Sequence, residues 1–175
     1  MIIPSIWEAE TFLKKLGTEK EEQMWTFPDR GNRNVCLIPE VTGVIQERWR
    51  EEWSKTLPKP TRLFYVSRCY RYERPQAGRY REFTQFGVEI LGGRRPEDTE
   101  EALSLLKGCM RAFGEDFVFV DAVKRGLSYY VEDGFEVEAP WLGAQKQVAG
   151  GGRYQEGIGW AIGVDRLTLA LDRRT

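Results

Sequence analysis

Apolar positions recur at helical spacing in four segments of the chain. Ala102, Leu106 and Met110 form one such stripe. Glycines or prolines follow three of the segments and supply helix stops. The pattern predicts helices over residues 6–16 with a C-cap at Gly17, over residues 40–57, from an N-cap at Asp98 to Gly114, and over residues 164–171.

Segments rich in β-branched and aromatic residues lie between these helices. They predict strands over residues 24–34 (with a turn at 29–32), 62–72, 83–91, 117–123, 127–137 and 145–148. Residues 62–72 and 83–91 form one hairpin with a long, arginine-rich loop. Regular βαβ alternation is missing, which disfavours a Rossmann fold or a TIM barrel. The predicted fold class is therefore α+β, a mainly antiparallel sheet flanked by helices that cover one of its sides.

Composition limits the chemistry that this chain can perform. Its 175 residues suit one globular domain. Lys and Arg total 26 while Asp and Glu total 27, so no overall positive field attracts nucleic acid. The chain has three cysteines and no histidine, which excludes a Cys/His zinc site and every catalytic pair that uses an imidazole. An enzyme of this composition must work with arginines, carboxylates, tyrosines and backbone amides.

The densest cluster of reactive side chains lies in the predicted hairpin. Arg71 and Glu73 are two residues apart and face one side of the first strand. On the return strand, Phe83 and Gln85 share a face with Glu89. Such a face offers a guanidinium for phosphate, and a carboxylate and an aromatic ring for a base. Surface ion pairs on an ordinary hairpin are the alternative. Glu89, however, lies among apolar residues, where an unpaired carboxylate is costly to bury.

Two glycine-containing segments follow nearer the C-terminus. Residues 150–154 read Gly-Gly-Gly-Arg-Tyr, a weak signal because glycine runs usually mark turns. Residues 158–167 combine an apolar strand, a glycine break and the start of a helix with Arg166 in its first turn. A helix N-terminus beside a guanidinium suits an anion. A packed strand–helix corner explains the same residues equally well.

Taken together, these segments resemble the catalytic core of class II aminoacyl-tRNA synthetases, and closely the histidyl-tRNA synthetase family. Residues 70–89 resemble motif 2 of that class, and residues 158–167 resemble motif 3. Residues 37–43 resemble the family's Pro-Glu-x-Thr loop. Residues 124–130 and 151–154 resemble its two histidine-specific signatures. The similarity runs in family order from Ile3 to Leu171.

The resemblance implies an enzyme, a ligase that uses ATP and Mg²⁺ to activate histidine as histidyl-adenylate, with release of pyrophosphate. The ATP-binding residues that it implies are Arg71, Glu73, Arg79, Phe83 and Arg166. The histidine-binding residues that it implies are Glu40, Thr42, Gln85, Glu89, Arg125, Tyr130 and Tyr154. The catalytic residues would be Arg71, Arg125 and Arg166, and no metal-ligating residue is expected.

The same resemblance predicts domain organisation and partners. We expect residues 1–175 to form a single catalytic domain that begins inside motif 1, without the family's insertion domain between Asp121 and Lys124 and without its anticodon-binding domain. The activated histidine would pass to a tRNA acceptor end, a carrier protein or a small molecule. The arginines available to an acceptor end are Arg74, Arg79, Arg81, Arg94 and Arg95. Family members dimerise, so a homodimer is expected although the motif 1 helix is missing.

The expected location is the cytoplasm, and no membrane partner is expected. The chain contains neither a signal-peptide pattern nor a long apolar run. The cysteines lack metal-ligand or disulfide-framework spacing, which is typical of thiols in a reducing compartment.

Two other interpretations fit the same resemblance. A non-catalytic histidine-binding subunit, such as the regulatory subunit of ATP phosphoribosyltransferase, shares this fold and has a triple-glycine signature like residues 150–154. Such a sensor does not need Arg71, Arg125 and Arg166 together, which favours the enzyme. A truncated or engineered core of a larger synthetase is the third interpretation.

Overall fold

The computed structural model describes residues 1–16, 22–114, 116–124 and 126–174. Its strands are β1 (Ile6–Glu8), β2 (Trp25–Pro28), β3 (Asn34–Leu37), β4 (Thr61–Tyr70), β5 (Glu82–Leu91), β6 (Val118–Val123), β7 (Gly134–Glu138), β8 (Gln147–Tyr154) and β9 (Gly157–Gly163). Its helices are α1 (Glu10–Leu16), α2 (Thr42–Arg48), α3 (Ser54–Thr56), α4 (Glu97–Arg111) and α5 (Val164–Asp172). A π-helical turn (Trp49–Trp53) joins α2 to α3, and a 3₁₀ turn spans Pro140–Gln145.

The described strands form two antiparallel sheets. In the larger sheet the order is β4, β5, β9, β8, β7 and β6, and β1, β3 and β2 form the smaller one. The β4–β5 hairpin is paired along its whole length, from Thr61 opposite Leu91 to Tyr70 opposite Glu82. β9 then pairs with residues 85–91 of β5. This antiparallel sheet with helices against it confirms the predicted α+β class.

One face of the larger sheet builds the main apolar core. Ile90 of β5 and Trp160 of β9 are buried there with Leu106 of α4 and Leu167 of α5. Burial of this set removes apolar surface from water and holds both helices against the sheet. None of the described helices is long and apolar enough to cross a membrane.

The opposite face of the larger sheet carries small residues. Glu89 lies opposite Gly159 between β5 and β9, and Gly150 lies opposite Ala161 between β8 and β9. Small side chains leave open space above the strands. α1, α2 and the smaller sheet share a second apolar core with Tyr65 of this face. The expectation that the helices cover one side of the sheet is therefore wrong for α1 and α2.

Most predicted elements are confirmed within a few residues. α2, the π-helical turn and α3 occupy the predicted helix over residues 40–57. β4 and β5 form the predicted hairpin, and α5 forms the predicted last helix. The turn at residues 29–32 is also present, because Asp29 Oδ1 accepts the N–H groups of Gly31 and Arg33 at 2.8 and 2.9 Å.

Three strand and helix predictions are wrong in part. Residues 6–8 form β1 instead of helix because they pair with β3. Residues 127–133 are irregular, with turns, bends and one isolated bridge from Tyr130 to Tyr154, and the strand predicted there begins only at Gly134. β8 runs through the glycine run to Tyr154, although the sequence predicts its end at Val148. The predicted C-cap Gly17 lies outside the described residues.

Asp98 is not the N-cap of its helix. Pro96 occupies that position in α4, and Asp98 is buried in the first turn. Its Oδ1 accepts a hydrogen bond from Arg153 Nη2 at 2.5 Å. The prediction failed because the partner lies 55 residues away in the chain, where local capping rules do not reach.

Candidate active site

A cleft opens over the small-residue face of the larger sheet. Its walls include the predicted site residues Glu40, Thr42, Arg71, Glu73, Arg79, Phe83, Gln85, Tyr130 and Arg166. Glu89 and Tyr154 are buried next to this wall, where Glu89 bonds to both Thr42 and Tyr154. Arg125, which the sequence predicts to be catalytic, lies outside the described residues. The fold thus brings most of the predicted residues together from distant parts of the chain.

Arg71 is held between backbone and an aromatic ring at one end of the cleft. It directly follows β4, and its Nε donates a hydrogen bond to the Pro39 carbonyl at 3.0 Å. Its guanidinium carbon lies 5.0 Å from the centroid of the Phe83 ring, within cation–π range. These contacts present a planar guanidinium that suits paired oxygens of a phosphate or a carboxylate.

Arg166 enters the same end of the cleft from the first turn of α5. Its Nε donates to the Gly78 carbonyl at 2.7 Å, and its Nη1 donates to the Gln147 carbonyl at 2.8 Å. Burial lowers the pKa of Arg166, Glu73 raises it, and the neighbouring arginines lower it further. Positive charges gathered in this way would be stabilised by a polyanion.

Glu73 and Arg79 form an ion pair inside this arginine cluster. The side chain of Glu73 is 11% exposed, and that of Arg79 is 39% exposed. The resemblance assigns both residues to ATP, as separate ligands for its base and its phosphates. In the structure they satisfy each other, which the sequence pattern does not indicate.

Glu89 is a buried carboxyl group at the other end of the cleft, 1% exposed. The Tyr154 hydroxyl donates to its Oε2 at 2.6 Å, and the Thr42 hydroxyl donates to its Oε1 at 2.8 Å. Loss of solvation raises the pKa of Glu89 to about 8; the two hydrogen bonds lower it, and the charge of Glu40 raises it. Such a group fits a ligand that brings an N–H donor.

Glu40 lies near Glu89 and is 4% exposed. Its Oε1 accepts the N–H of Gly43 at 2.7 Å, in the first turn of α2. Its Oε2 accepts a hydrogen bond from the Tyr129 hydroxyl at 3.3 Å. Two buried carboxyl groups in one part of the cleft favour a cationic ligand, because like charges disfavour each other.

Glycines in the strands make room for these buried groups. A Cβ added at Gly159 would collide with the Glu89 carboxyl group. A Cβ added at Gly87 would collide with the Tyr65 hydroxyl. Both glycines lie inside paired strands, so close approach of a side chain, not a turn, explains them.

Sequence reasoning missed several residues of the cleft, among them Tyr65, Tyr129 and Asp165. The signal for Tyr129 was its place beside Tyr130 in a histidine-specific signature. The signal for Tyr65 was strand alternation, which places it on the same face as the cleft. Asp165 Oδ2 accepts the backbone N–H of Thr84 at 2.5 Å, a contact between distant segments that no local pattern marks.

The buried thiols have a structural role. Burial raises the pKa values of Cys36 and Cys69 to about 12, so both stay protonated. Cys69 Sγ donates to Gln85 Oε1 at 3.2 Å and so orients that amide at the wall of the cleft. Across the part of the chain that the structure describes, no group of three or more Cys, Asp or Glu side chains could hold a metal ion.

Comparison with solved structures identifies the class of this fold as that of class II aminoacyl-tRNA synthetases. Apo histidyl-tRNA synthetase of S. aureus matches with a TM-score of 0.79 and 26% identity, over 99% of this chain and 60% of that protein. A Bacillus halodurans protein described as an ATP phosphoribosyltransferase regulatory subunit/histidyl-tRNA synthetase matches with a TM-score of 0.80, over 98% of this chain and 74% of that one. At 15% identity, this second likeness shows the fold alone.

Sequence comparison then gives the family. The histidyl-tRNA synthetase family profile matches residues 1–124, and the chain belongs to that family. The histidine–tRNA ligase of Natranaerobius thermophilus is 27% identical over 98% of this chain and 66% of that protein. The histidine–tRNA ligase of Methanocaldococcus jannaschii is 40% identical over 67% of this chain and 28% of that protein. The chain therefore spans less than two thirds of the length of these relatives.

Proposed function

We propose that this chain activates histidine with ATP, giving histidyl-adenylate and pyrophosphate. One observation carries the proposal: a single cleft joins an arginine cluster (Arg71, Arg79 and Arg166) to two buried carboxyl groups (Glu40 and Glu89). The arginine cluster suits a polyphosphate, and the buried carboxyl groups suit a cationic amino acid. The histidine–tRNA ligases to which the chain is similar support histidine as that amino acid.

The proposed reaction needs positioning and charge neutralisation. A carboxylate oxygen of histidine attacks the α-phosphorus, and a new P–O bond forms. The bond from the α-phosphorus to the bridging oxygen breaks, and pyrophosphate leaves with that electron pair. The attacking carboxylate is already ionised, so no protein base has to remove a proton. In-line alignment and stabilisation of the phosphate charge are therefore the tasks of the protein.

The arginines would divide the phosphate contacts between them. Arg71 would bind the α-phosphate and the substrate carboxylate, because its planar group is already held at the edge of the cleft. Arg79 and Arg166 would bind the outer phosphates. Arg125 is proposed to act beside the α-phosphate, on the strength of the family signature alone.

Adenine binding would break the ion pair between Glu73 and Arg79. The freed Glu73 carboxylate would accept a hydrogen bond from the adenine amino group, and Arg79 would turn to the phosphates. Phe83 offers an aromatic face on which the base would stack. The internal pair thus keeps both groups satisfied until ATP replaces it.

Mg²⁺ would enter with the ATP. Guanidinium groups dominate the proposed phosphate end, and the described residues offer no acidic cage, so phosphate oxygens and water would hold the ion. When bound, Mg²⁺ supplies charge neutralisation on the phosphates.

The substrate histidine would occupy the carboxyl end of the cleft. Its imidazole would donate an N–H to Glu89, with Tyr130 and Tyr154 around the ring. Burial and the neighbouring Glu89 raise the pKa of Tyr154 well above its usual value, so its hydroxyl keeps the proton that it donates. The groups proposed for the substrate ammonium are Glu40, Thr42 and Gln85.

A tRNA acceptor end is the proposed acceptor of the activated histidine. The names of the similar ligases favour it over a carrier protein or a small molecule. The cytoplasmic location, the homodimer and the single catalytic domain over residues 1–175 stay predictions.

A non-catalytic histidine-binding subunit is the second candidate. The ion pair between Glu73 and Arg79 favours it, because a sensor would leave this pair closed. Such a protein would use the carboxyl end of the cleft and would have no use for the arginine end.

Histidine-dependent ATP–pyrophosphate exchange separates the two candidates. We expect exchange by the wild-type chain, and a loss of about 100-fold or more in Arg71→Ala and Arg125→Ala, because each removes charge stabilisation at the reacting phosphate. Arg111→Ala is the matched control, since it removes the same charge from the exposed end of α4. Histidine binding by calorimetry without any exchange would reject the enzyme and support the sensor.

A further inference from the structure

We propose that Arg81, an exposed residue outside the walls of the cleft, is a positioning residue for the ATP end. It sets the path of the backbone from Arg71 to Glu73, so that both side chains face ATP. The inference rests on the proposed function, since it assigns a role in binding the nucleotide of that reaction.

Two hydrogen bonds that involve Arg81, one accepted and one donated, bracket this segment. The backbone N–H of Arg71 donates to the Arg81 carbonyl at 2.8 Å. The Nε of Arg81 donates to the Glu73 carbonyl at 3.0 Å. The first bond joins two backbone groups and persists in any variant at position 81, whereas the second depends on the Arg81 side chain. Because that second bond ends on a backbone carbonyl, it fixes the direction of the chain and not the charge of Glu73. The segment is thereby held at each end by one residue.

An aromatic stack braces the guanidinium of Arg81 from the other side. Its carbon lies 4.4 Å from the centroid of the Tyr72 ring and 5.9 Å from that of Trp25. The Tyr72 and Trp25 rings meet edge to face, with centroids 4.7 Å apart. The N–H of Tyr72 also donates to the Gln23 carbonyl at 2.6 Å. Trp25 belongs to β2, so the smaller sheet supports the ATP end through this stack.

Direct contact of Arg81 with an acceptor RNA is the competing role, because exposed arginines of this loop suit phosphates. Pyrophosphate exchange without tRNA distinguishes the two, since an acceptor contact does not act in that reaction. Arg68→Ala is the matched control: Arg68 is exposed, carries the same charge and lies on β4 of the same hairpin, with no role assigned in the site.

In tRNA-free exchange, we expect Arg81→Ala to raise the KM for ATP about tenfold, because a shift of the Arg71–Glu73 segment misplaces two ATP ligands. Arg81→Lys should show a similar rise, since lysine keeps the charge but loses the planar stack and the Nε donor. Arg68→Ala should stay within about twofold of the wild type, because it removes only a surface ion pair with Glu82. The affinity for histidine alone, by calorimetry, should change less than about twofold in all three variants.

Substitutions of Tyr72, whose ring stacks on Arg81, give a second test. Its two variants distinguish loss of the stack from a general folding defect. Tyr72→Leu removes the stack and should raise the KM for ATP, whereas Tyr72→Phe keeps the ring and should restore the wild-type value. Equal effects of Arg81→Ala and Arg68→Ala, with exchange intact in the wild type, would overturn the positioning role alone. A wild-type chain that shows no exchange would overturn the proposed function and this inference with it.

Discussion

Glu89 illustrates how a single residue acquires its chemistry from the fold. The sequence places it among apolar neighbours, and the structure supplies two hydroxyl donors, from Thr42 and Tyr154. These donors offset part of the free-energy cost of burial but leave the pKa of Glu89 raised to about 8. A raised pKa means that the carboxylate form of Glu89 is more basic than usual, and a more basic oxygen is a better acceptor for an imidazole N–H. Accepting that N–H is its proposed role.

Glu89→Gln should weaken histidine binding about 10- to 100-fold, because a neutral amide replaces an acceptor that can carry charge. The substitution keeps the shape of the side chain, and calorimetry gives the dissociation constant. Glu82→Gln is the control, since Glu82 lies at the exposed end of the same strand. An equal loss in both variants would contradict the proposed role.

The same residue predicts a pH dependence of stability. The pKa of Glu89 is raised from 4.5 to about 8 in the folded chain, so the folded state holds a proton that the unfolded state releases. This contribution to stability is complete below pH 4.5 and is lost as the pH rises toward about 8. The free energy of unfolding, measured by urea denaturation, should therefore be lower at pH 8 than at pH 5.5 in the wild type. The decrease should be smaller in Glu89→Gln, which lacks the titrating group. A parallel course of the two proteins would show that Glu89 does not titrate in this window.

At the scale of elements, β9 and β8 form the floor of the cleft because their residues on that face are small. Gly159 of β9 lies opposite Glu89 of β5, and Gly152 of β8 lies opposite Gly159. A Cβ at Gly152 would approach the Tyr130 ring to 2.9 Å. The glycine run at residues 150–152 is therefore part of β8, and its lack of side chains leaves room for neighbouring groups such as the Tyr130 ring.

Gly159→Ala should lower the free energy of unfolding by about 2 kcal/mol and impair histidine binding, because the added methyl group collides with the Glu89 carboxyl group. Gly163→Ala on the same strand is the stability control, since the nearest atom to its Cβ lies 3.7 Å away. Urea denaturation measures both. Equal destabilisation would mean that β9 rejects any side chain, independently of Glu89.

The start of α4 depends on a buried ion pair instead of a cap. Asp98→Ala removes the buried carboxylate partner of Arg153, which keeps only the exposed carboxylate of Glu132 at 3.6 Å, and should cost about 3–5 kcal/mol of stability. Loss of an ordinary N-cap would cost only about 0.5–2 kcal/mol. Glu97→Ala is the matched control, because Glu97 is an exposed acid in the same first turn. Denaturant unfolding distinguishes the two ranges.

At the scale of the whole molecule, the cleft lies between the two apolar cores. Tyr65 belongs to the core of α1 and α2, whereas Trp160, from the opposite face of the sheet, belongs to the core of α4 and α5. Ligands in the cleft would bind only the folded arrangement and so stabilise both cores together.

Histidine and ATP should each raise the midpoint temperature of thermal unfolding. A ligand present at 100 times its dissociation constant adds about 2.7 kcal/mol to the free energy of unfolding. Glu89→Gln should lose the shift caused by histidine and keep the shift caused by ATP. Arg166→Ala should show the opposite pattern. Thermal scans with each ligand test this, and loss of both shifts in either variant would mean that the cleft does not have two separate ends.

Most of the helices and strands, and the family, were predictable from local patterns in the chain. Alternation along β4 and β5 placed Phe83, Gln85 and Glu89 on one face, and helical spacing predicted α5 with Arg166 in its first turn. Local patterns suffice here because strand and helix periods are properties of the backbone. The roles implied by the family resemblance stay predictions, with Arg125 among them.

The contacts between these groups depend on how the chain packs in three dimensions. The tertiary structure pairs Glu73 with Arg79, Asp98 with Arg153, and Tyr129 with Glu40. The last two contacts join residues 55 and 89 positions apart in the chain. Such contacts depend on how sheets and helices pack and on which groups lose water, and no local pattern encodes either.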